Sequence, residues 1–179
     1  MKQILFAFLA TILLATSAHA AESVVSLALA SPDFKDGDTL DNKFVFNGFG
    51  CTGDNVAPAL TWSGAPIDTK YFALTMYDPD APTGSGWWHW VVINIPADTK
   101  ELYRATLPEG AIETRTDYNT LGYGGPCPPV GDKPHRYIFR LVALKDKIPL
   151  EADVPAAMAG FYINSLKIAE STLTATYGR

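Results

Sequence analysis

Three histidines occur in the 179-residue chain, and two of them, His89 and His135, each open an apolar run behind a turn rich in Pro, Gly or Asp. His89 follows Asp78-Pro79-Asp80-Ala81-Pro82 and stands within Trp87-Trp88-His89-Trp90. His135 begins His135-Arg136-Tyr137 after Gly124-Gly125-Pro126-Cys127-Pro128-Pro129. Strand ends beside stiff turns are where a fold aims side chains into a cleft. Imidazole changes charge near neutral pH, and a neighbouring carboxylate fixes its tautomer and favours the charged ring. A site is expected where His89, His135 and Tyr137 converge with Asp78 and Asp80. Gly125 offers a backbone N–H to an anion there, and Pro126 stiffens the wall. Such a set suits a phosphoryl or carboxylate group and predicts tighter anion binding in mild acid, unless Asp78 already keeps the rings charged.

Each residue taken singly also has an ordinary structural role. A histidine at a strand start is commonly a capped core residue, Asp-Pro-Asp is a common turn whose first carboxylate bonds nearby backbone N–H groups, and Tyr123 and Tyr137 fit a core. Two imidazoles and two carboxylates suffice to bind Zn²⁺, but no His-x-x-x-His pair supports a metal site. No Gly-x-Ser-x-Gly elbow marks a nucleophile, and Ser85 in Thr83-Gly84-Ser85-Gly86 reads as a turn. The residues therefore point to binding of a small phosphorylated or anionic ligand, with no cofactor and no enzyme activity expected. A weak hydrolase is one alternative. An inhibitor or effector that grips a partner protein through an aromatic rim of Trp87, Trp88 and Tyr123 is another.

The elements that position these residues are mostly strands. Val24 to Ala30, Lys43 to Phe46, Leu60 to Trp62, Tyr71 to Tyr77, Trp90 to Ile95, His135 to Leu144 and Leu173 to Tyr177 read as strands from apolar runs bounded by turn residues. Trp90 to Ile95 is nearly all apolar, which predicts a central strand covered on both faces and stopped by Pro96. Side chains two apart in a strand share a face. His135 and Tyr137 are thus placed together with Arg136 opposite, and His89 with Val91 and Ile93, with Trp88 and Trp90 opposite. Residues 98–118 predict short strands and turns, and 121–134 an irregular loop. One helix is expected from the spacing of Ala156, Met158, Ala159, Tyr162, Ile163, Leu166 and Ile168, with Pro155 in its first turn and Asp153 as N-cap.

Met1 to Ala20 has the form of a cleaved export leader: Lys2, an apolar run from Ile4 to Ala15, and Ala18-His19-Ala20 as the cleavage site. That run is too short to span a membrane of about 20 helical residues. Residues 21–179 read as one exported domain, periplasmic or secreted. The chain carries 14 Lys and Arg against 19 Asp and Glu, with a net charge of −5 and no basic run, which excludes a nucleic-acid binder. Gly 14 and Pro 13 indicate many tight turns and a mainly β domain. Cys51 and Cys127, two cysteines in an oxidising destination, predict a disulfide, with two buried, unlinked thiols as the competing reading.

At these motifs the sequence resembles the phosphatidylethanolamine-binding protein family, also called Raf kinase inhibitor protein-like, and most closely its bacterial YbhB/YbcL-type branch. The resemblance rests on Asp78-Pro79-Asp80-Ala81-Pro82 through His89-Trp90, and on Gly124-Gly125-Pro126-Cys127-Pro128-Pro129 through His135-Arg136-Tyr137. Trp62 after Pro58-Ala59-Leu60-Thr61, and the closing Thr176-Tyr177-Gly178-Arg179, extend it over nearly all of 21–179. It implies a large antiparallel sheet packed on a smaller one with a C-terminal helix. It also implies an anion pocket walled by Asp78, His89 and His135 with Tyr137 beside it, and a possible homodimer. Trp88 stands where eukaryotic relatives often carry a second histidine, which implies a more apolar pocket.

Overall fold

The computed structural model describes residues 26–179, so the expected leader, and the start of the strand expected from Val24, lie outside the described residues. Among the described residues ten strands are present in chain order: β1 (Ala28–Ala30), β2 (Asn47–Gly48), β3 (Cys51–Thr52), β4 (Leu60–Ser63), β5 (Tyr71–Asp78), β6 (Trp87–Pro96), β7 (Glu101–Leu102), β8 (Ile112–Glu113), β9 (His135–Leu144) and β10 (Lys167–Tyr177). One α-helix among them, α1 (Ala156–Leu166), precedes β10. The large antiparallel sheet has the order β10-β9-β5-β6-β8, the smaller sheet β1-β4-β7, and β2-β3 forms a two-stranded hairpin.

The two faces of the large sheet bury different layers. On one face, Leu74, Met76, Trp90, Val92, Tyr137, Phe139 and Leu141 pack with Leu29, Leu60, Trp62 and Leu102 of the smaller sheet. On the other, Ala73, Val91, Ile93, Val142 and Leu144 meet Ala156, Ala159 and Ile163 of α1. Burial on both faces is why β5 and β6 read as continuous apolar runs rather than alternating ones. β6 is not central, however: only the two-residue β8 lies beyond it.

Other expectations are corrected in detail. Lys43 to Phe46 is not a strand, because the Asp41 carboxylate accepts from the Lys43 N–H at 2.9 Å and winds Asn42–Phe44 into a single 3-10 turn. Asp153 does not cap α1. Pro155 holds the N-cap position without a side-chain bond, and Asp153 instead pairs with Arg115 at 3.2 Å. The helix ends at Leu166, because Lys167 adopts an extended conformation (ψ 135°), and the chain enters β10 six residues before the strand expected from Leu173.

Candidate functional site

Two register shifts interrupt the pairing of β5 with β6, and the second of them aims His89. Tyr77 faces Trp88 while Met76 faces Trp90, so His89 is an extra residue with no partner on β5. The bulge puts His89 and Trp90 on the same side of the sheet. Trp88 packs on the helix side with Val91 and Ile93. The His89 ring meets Tyr137 edge-on at 5.1 Å and Tyr118 at 5.5 Å. The strict alternation expected from the sequence is therefore corrected: His89 does not share a face with Val91 and Ile93. Trp88, on the helix side and tilted at 45° against Tyr77 with ring centroids 4.7 Å apart, takes no part in the cleft or its rim.

His135 and Tyr137 do share a face of β9, and both are buried. At the end of the neighbouring strand β5, Asp78 divides its carboxylate between two tasks. Oδ1 accepts the backbone N–H groups of Asp80 at 2.8 Å and Ala81 at 3.0 Å, closing the turn. Oδ2 accepts from His135 Nδ1 at 2.8 Å. The turn role and the histidine-orienting role are thus both present in one side chain. His135 Nε2 lies 3.4 Å from Oδ2 of the exposed Asp132.

The loop that carries Gly124 and Gly125 reaches the cleft from behind His89. The Gly124 N–H donates to the His89 carbonyl at 2.9 Å, and the His89 Nδ1–H donates to the Gly124 carbonyl at 2.7 Å. A carbonyl only accepts, so the proton of the neutral ring sits on Nδ1. Burial lowers the His89 pKa from 6.5 to about 4, against the opposing pull of the Gly124 carbonyl and the Asp78 charge. At neutral pH the ring is uncharged and its Nε2 is a bare lone pair. Among the described residues that nitrogen makes no hydrogen bond and is not one of the sealed polar atoms, and His89 lines the cleft.

Glycine is required at 124 and 125 because of what surrounds them. A Cβ at Gly124 would lie 2.4 Å from the Tyr118 ring, and one at Gly125 would lie 2.0 Å from the Phe44 carbonyl. Gly125 does not present a free N–H to the cleft. Its amide donates to Asn55 Oδ1 at 2.8 Å, and its carbonyl accepts from the Tyr118 hydroxyl at 2.9 Å. Pro126 is also outside the cleft lining, its carbonyl held by the Phe46 N–H at 3.0 Å, while Cys127, Pro128 and Pro129 form that wall. Asp80 faces away as well. Its carboxylate takes the Arg136 backbone N–H at 2.9 Å, Nε at 2.9 Å and Nη2 at 2.7 Å, and these bonds hold its pKa at about 2.

The resulting cavity, of about 200 Å³, brings Asp78, His89, His135 and Tyr137 together with Trp87, Tyr118 and Phe49. Tyr118 was not legible as a site residue, yet its ring stacks on Phe46 at 4.2 Å and meets Trp87 edge-on at 5.4 Å. The rim is therefore Phe49, Trp87 and Tyr118. Tyr123 is turned inward, its hydroxyl bonded to the Phe44 carbonyl at 2.9 Å. Cys51 and Cys127 are disulfide-bonded, joining β3 to the cleft wall. The last residue, Arg179, donates to the Pro128 carbonyl at 2.7 Å and the Gly50 carbonyl at 2.8 Å, tying the two sides of that bridge. Asn55 carried no motif signal, and Arg179 entered only as the end of the Thr176–Arg179 segment that fits the family, since a loop amide and an arginine look ordinary until their partners are known.

Two buried donors lack protein partners on residues lining this cavity: the Tyr137 hydroxyl and Trp87 Nε1. Burial also pushes the Tyr137 hydroxyl pKa far up, so it stays a proton donor at any physiological pH. The cleft thus presents acceptors (His89 Nε2, Asp78) within an aromatic enclosure, with the Trp87 and Tyr137 donors sealed in its wall.

Comparison with known proteins matches residues 30–178 to the family described as phosphatidylethanolamine-binding protein. The chain is similar to the UPF0098 protein YbcL of Escherichia coli K12, with 49% identity over 157 residues, covering 83% of this chain and 86% of the relative. It is also similar to the UPF0098 protein YbhB of the same organism, with 46% identity over 158 residues, covering 84% and 99%. The crystal structure of E. coli YbcL, described as a new member of the mammalian PEBP family, superposes with a TM-score of 0.83 at 48% identity, covering 86% of this chain and 99% of that one. The motifs, the two-sheet architecture with its C-terminal helix and these matches agree: the chain belongs to the phosphatidylethanolamine-binding protein family.

Proposed function

We propose that this protein is an exported binding protein whose cleft receives the phosphoryl or carboxylate group of a small ligand. The observation that carries the reading is the convergence of Asp78, His89, His135 and Tyr137 in one aromatic-walled cavity, with the two histidines held by Asp78 and Gly124. The sealed, unpartnered donors of Tyr137 and Trp87 in that wall add to it: a buried donor without an acceptor costs about 1–3 kcal/mol, which an oxyanion reached by a small side-chain shift would relieve. A volume of about 200 Å³ is below the roughly 300–1,000 Å³ of drug-sized pockets, so the cleft suits a headgroup-sized fragment. The leader-like Met1 to Ala20 and the disulfide support export. Binding is favoured over catalysis because Cys127, the cleft thiol, is bonded to Cys51, and Ser85 does not line the cavity.

Titration with phosphoethanolamine, followed by amide and indole NMR shifts, tests the reading. Saturable shifts are expected at Trp87, His89 and Tyr137, and weaker binding in Tyr137→Phe. An unperturbed cleft at high ligand concentration would sink it.

A second reading, docking of a partner protein on the rim, is favoured by one observation. Phe49 is 71% exposed at the cleft edge, close to Phe46 and Tyr118. Binding of a purified partner that is lost in Phe49→Asp, while phosphoethanolamine still binds, would support it.

A further inference from the structure

We infer that the cleft selects oxyanions that carry their own proton, such as a phosphate monoester in its singly protonated form, over proton-free anions of the same shape and charge. This rests on the anion-cleft reading above and adds the ligand's protonation state to it. The inference comes from the way the His89 ring is anchored. Its Nδ1–H is committed to the Gly124 carbonyl at 2.7 Å, and Gly124 returns its own N–H to the His89 carbonyl, so the ring is held through both ends of one residue. The nitrogen left for the ligand is Nε2, an acceptor. Asp78, the carboxylate of that lining, is a second acceptor in the same wall. An oxyanion without a proton would meet a lone pair at His89 and a negative charge at Asp78. Among the described lining residues, the unpartnered donors of Tyr137 and Trp87 are sealed within the wall and answer it only after a side-chain shift. A ligand with one O–H supplies the donor that the His89 lone pair lacks, which a proton-free anion cannot do.

The alternative is that a proton-free anion draws a proton onto His89. The groups facing that ring decide its cost. Asp78 on β5 favours the charged ring, while His135 on β9 disfavours it. The Tyr137 ring on β9 and the Tyr118 ring of the preceding loop enclose it. Burial outweighs these and leaves the ring titrating at about 4. At pH 6 that is two pH units above its titration, so protonating it weakens binding roughly a hundredfold. A phosphate monoester, whose second ionisation lies near pH ~6, is still about half singly protonated and loses only about twofold.

Methyl phosphate and methyl sulfate make the test, because at pH 6 the singly protonated phosphate and the sulfate have equal charge and similar shape and differ by one proton. Dimethyl phosphate supplies a third arm, standing for phosphodiesters. Binding to the wild-type protein is measured by NMR shift titration at pH 6 and pH 7. Methyl phosphate is expected to bind at least about tenfold more tightly than either proton-free probe at pH 6, and methyl sulfate to weaken a further roughly tenfold at pH 7. Methyl sulfate or dimethyl phosphate binding within twofold of methyl phosphate overturns this inference and leaves the anion cleft standing. Failure of all three to perturb Trp87, His89 or Tyr137 overturns both.

Discussion

Asp78 Oδ2 and His135 Nδ1 are 2.8 Å apart at the ends of neighbouring antiparallel strands, and both side chains are almost fully buried. The same carboxylate closes the Asp78-Pro79-Asp80 turn through its other oxygen. One side chain therefore couples the geometry of the turn to the orientation of the histidine.

Removing that carboxylate strands three donors at once. Asp78→Ala is expected to lower stability by about 3 kcal/mol, in the range for breaking a buried pair from one side. Asp78→Asn, which keeps an oxygen for the turn, should lose less stability but misorient His135. Urea denaturation of the two variants, with His135 ring ¹⁵N shifts, checks the order.

His89 makes stability depend on pH. Its folded pKa, about 4, is below the ordinary 6.5, so between these values the unfolded chain binds the proton more readily. The contribution is fully present above pH 6.5 and is lost as pH falls toward 4, by about 3 kcal/mol over that window. Unfolding free energies measured from pH 7.5 to 4, with the His89 Cε1–H shift followed in parallel, test this. A midpoint near 6.5 would contradict it.

The disulfide closes a loop with a sequence separation of 76 and is expected to stabilise the fold by about 4 kcal/mol on the chain-entropy account. Cys51→Ser/Cys127→Ser should show that loss in denaturant and weaker phosphoethanolamine binding, because Cys127 forms part of the cleft wall. Equal binding with the bridge absent would limit its role to stability.

Gly125→Ala forces a Cβ against the Phe44 carbonyl at 2.0 Å, with backbone rather than a flexible side-chain tip in the way. A loss of about 3 kcal/mol is expected, the upper end for overpacking. Gly84→Ala, where the added Cβ meets nothing within 4 Å, is the control and should change stability little. Thermal denaturation of both variants compares them.

Asp80→Ala removes an exposed fork to Arg136 that lies outside the cleft. Exposed pairs contribute about 1 kcal/mol or less, so a small stability change and an unaltered affinity for phosphoethanolamine are expected. A large loss of affinity, measured by the same NMR titration, would return Asp80 to the site.

What the sequence determined by itself was the material read locally. The two motifs identify the family, period-2 alternation put His135 and Tyr137 on one face of β9, and two cysteines implied a bridge. The apolar runs located β5, β6 and β9 within a few residues, because burial on both faces leaves a continuous signal. Tertiary structure decided whatever depends on a partner distant in the chain. The bulge that turns His89 onto the face of Trp90 is a property of pairing between β5 and β6, and a one-residue shift in register exchanges the faces of a strand. Asp80 goes to Arg136, and the Gly125 amide to Asn55, across 56 and 70 positions of sequence. Hydrogen bonds of that kind are chosen by three-dimensional proximity, and composition and spacing carry no record of it. The same holds for His89: its tautomer follows from one carbonyl brought to its ring by a loop 35 residues away.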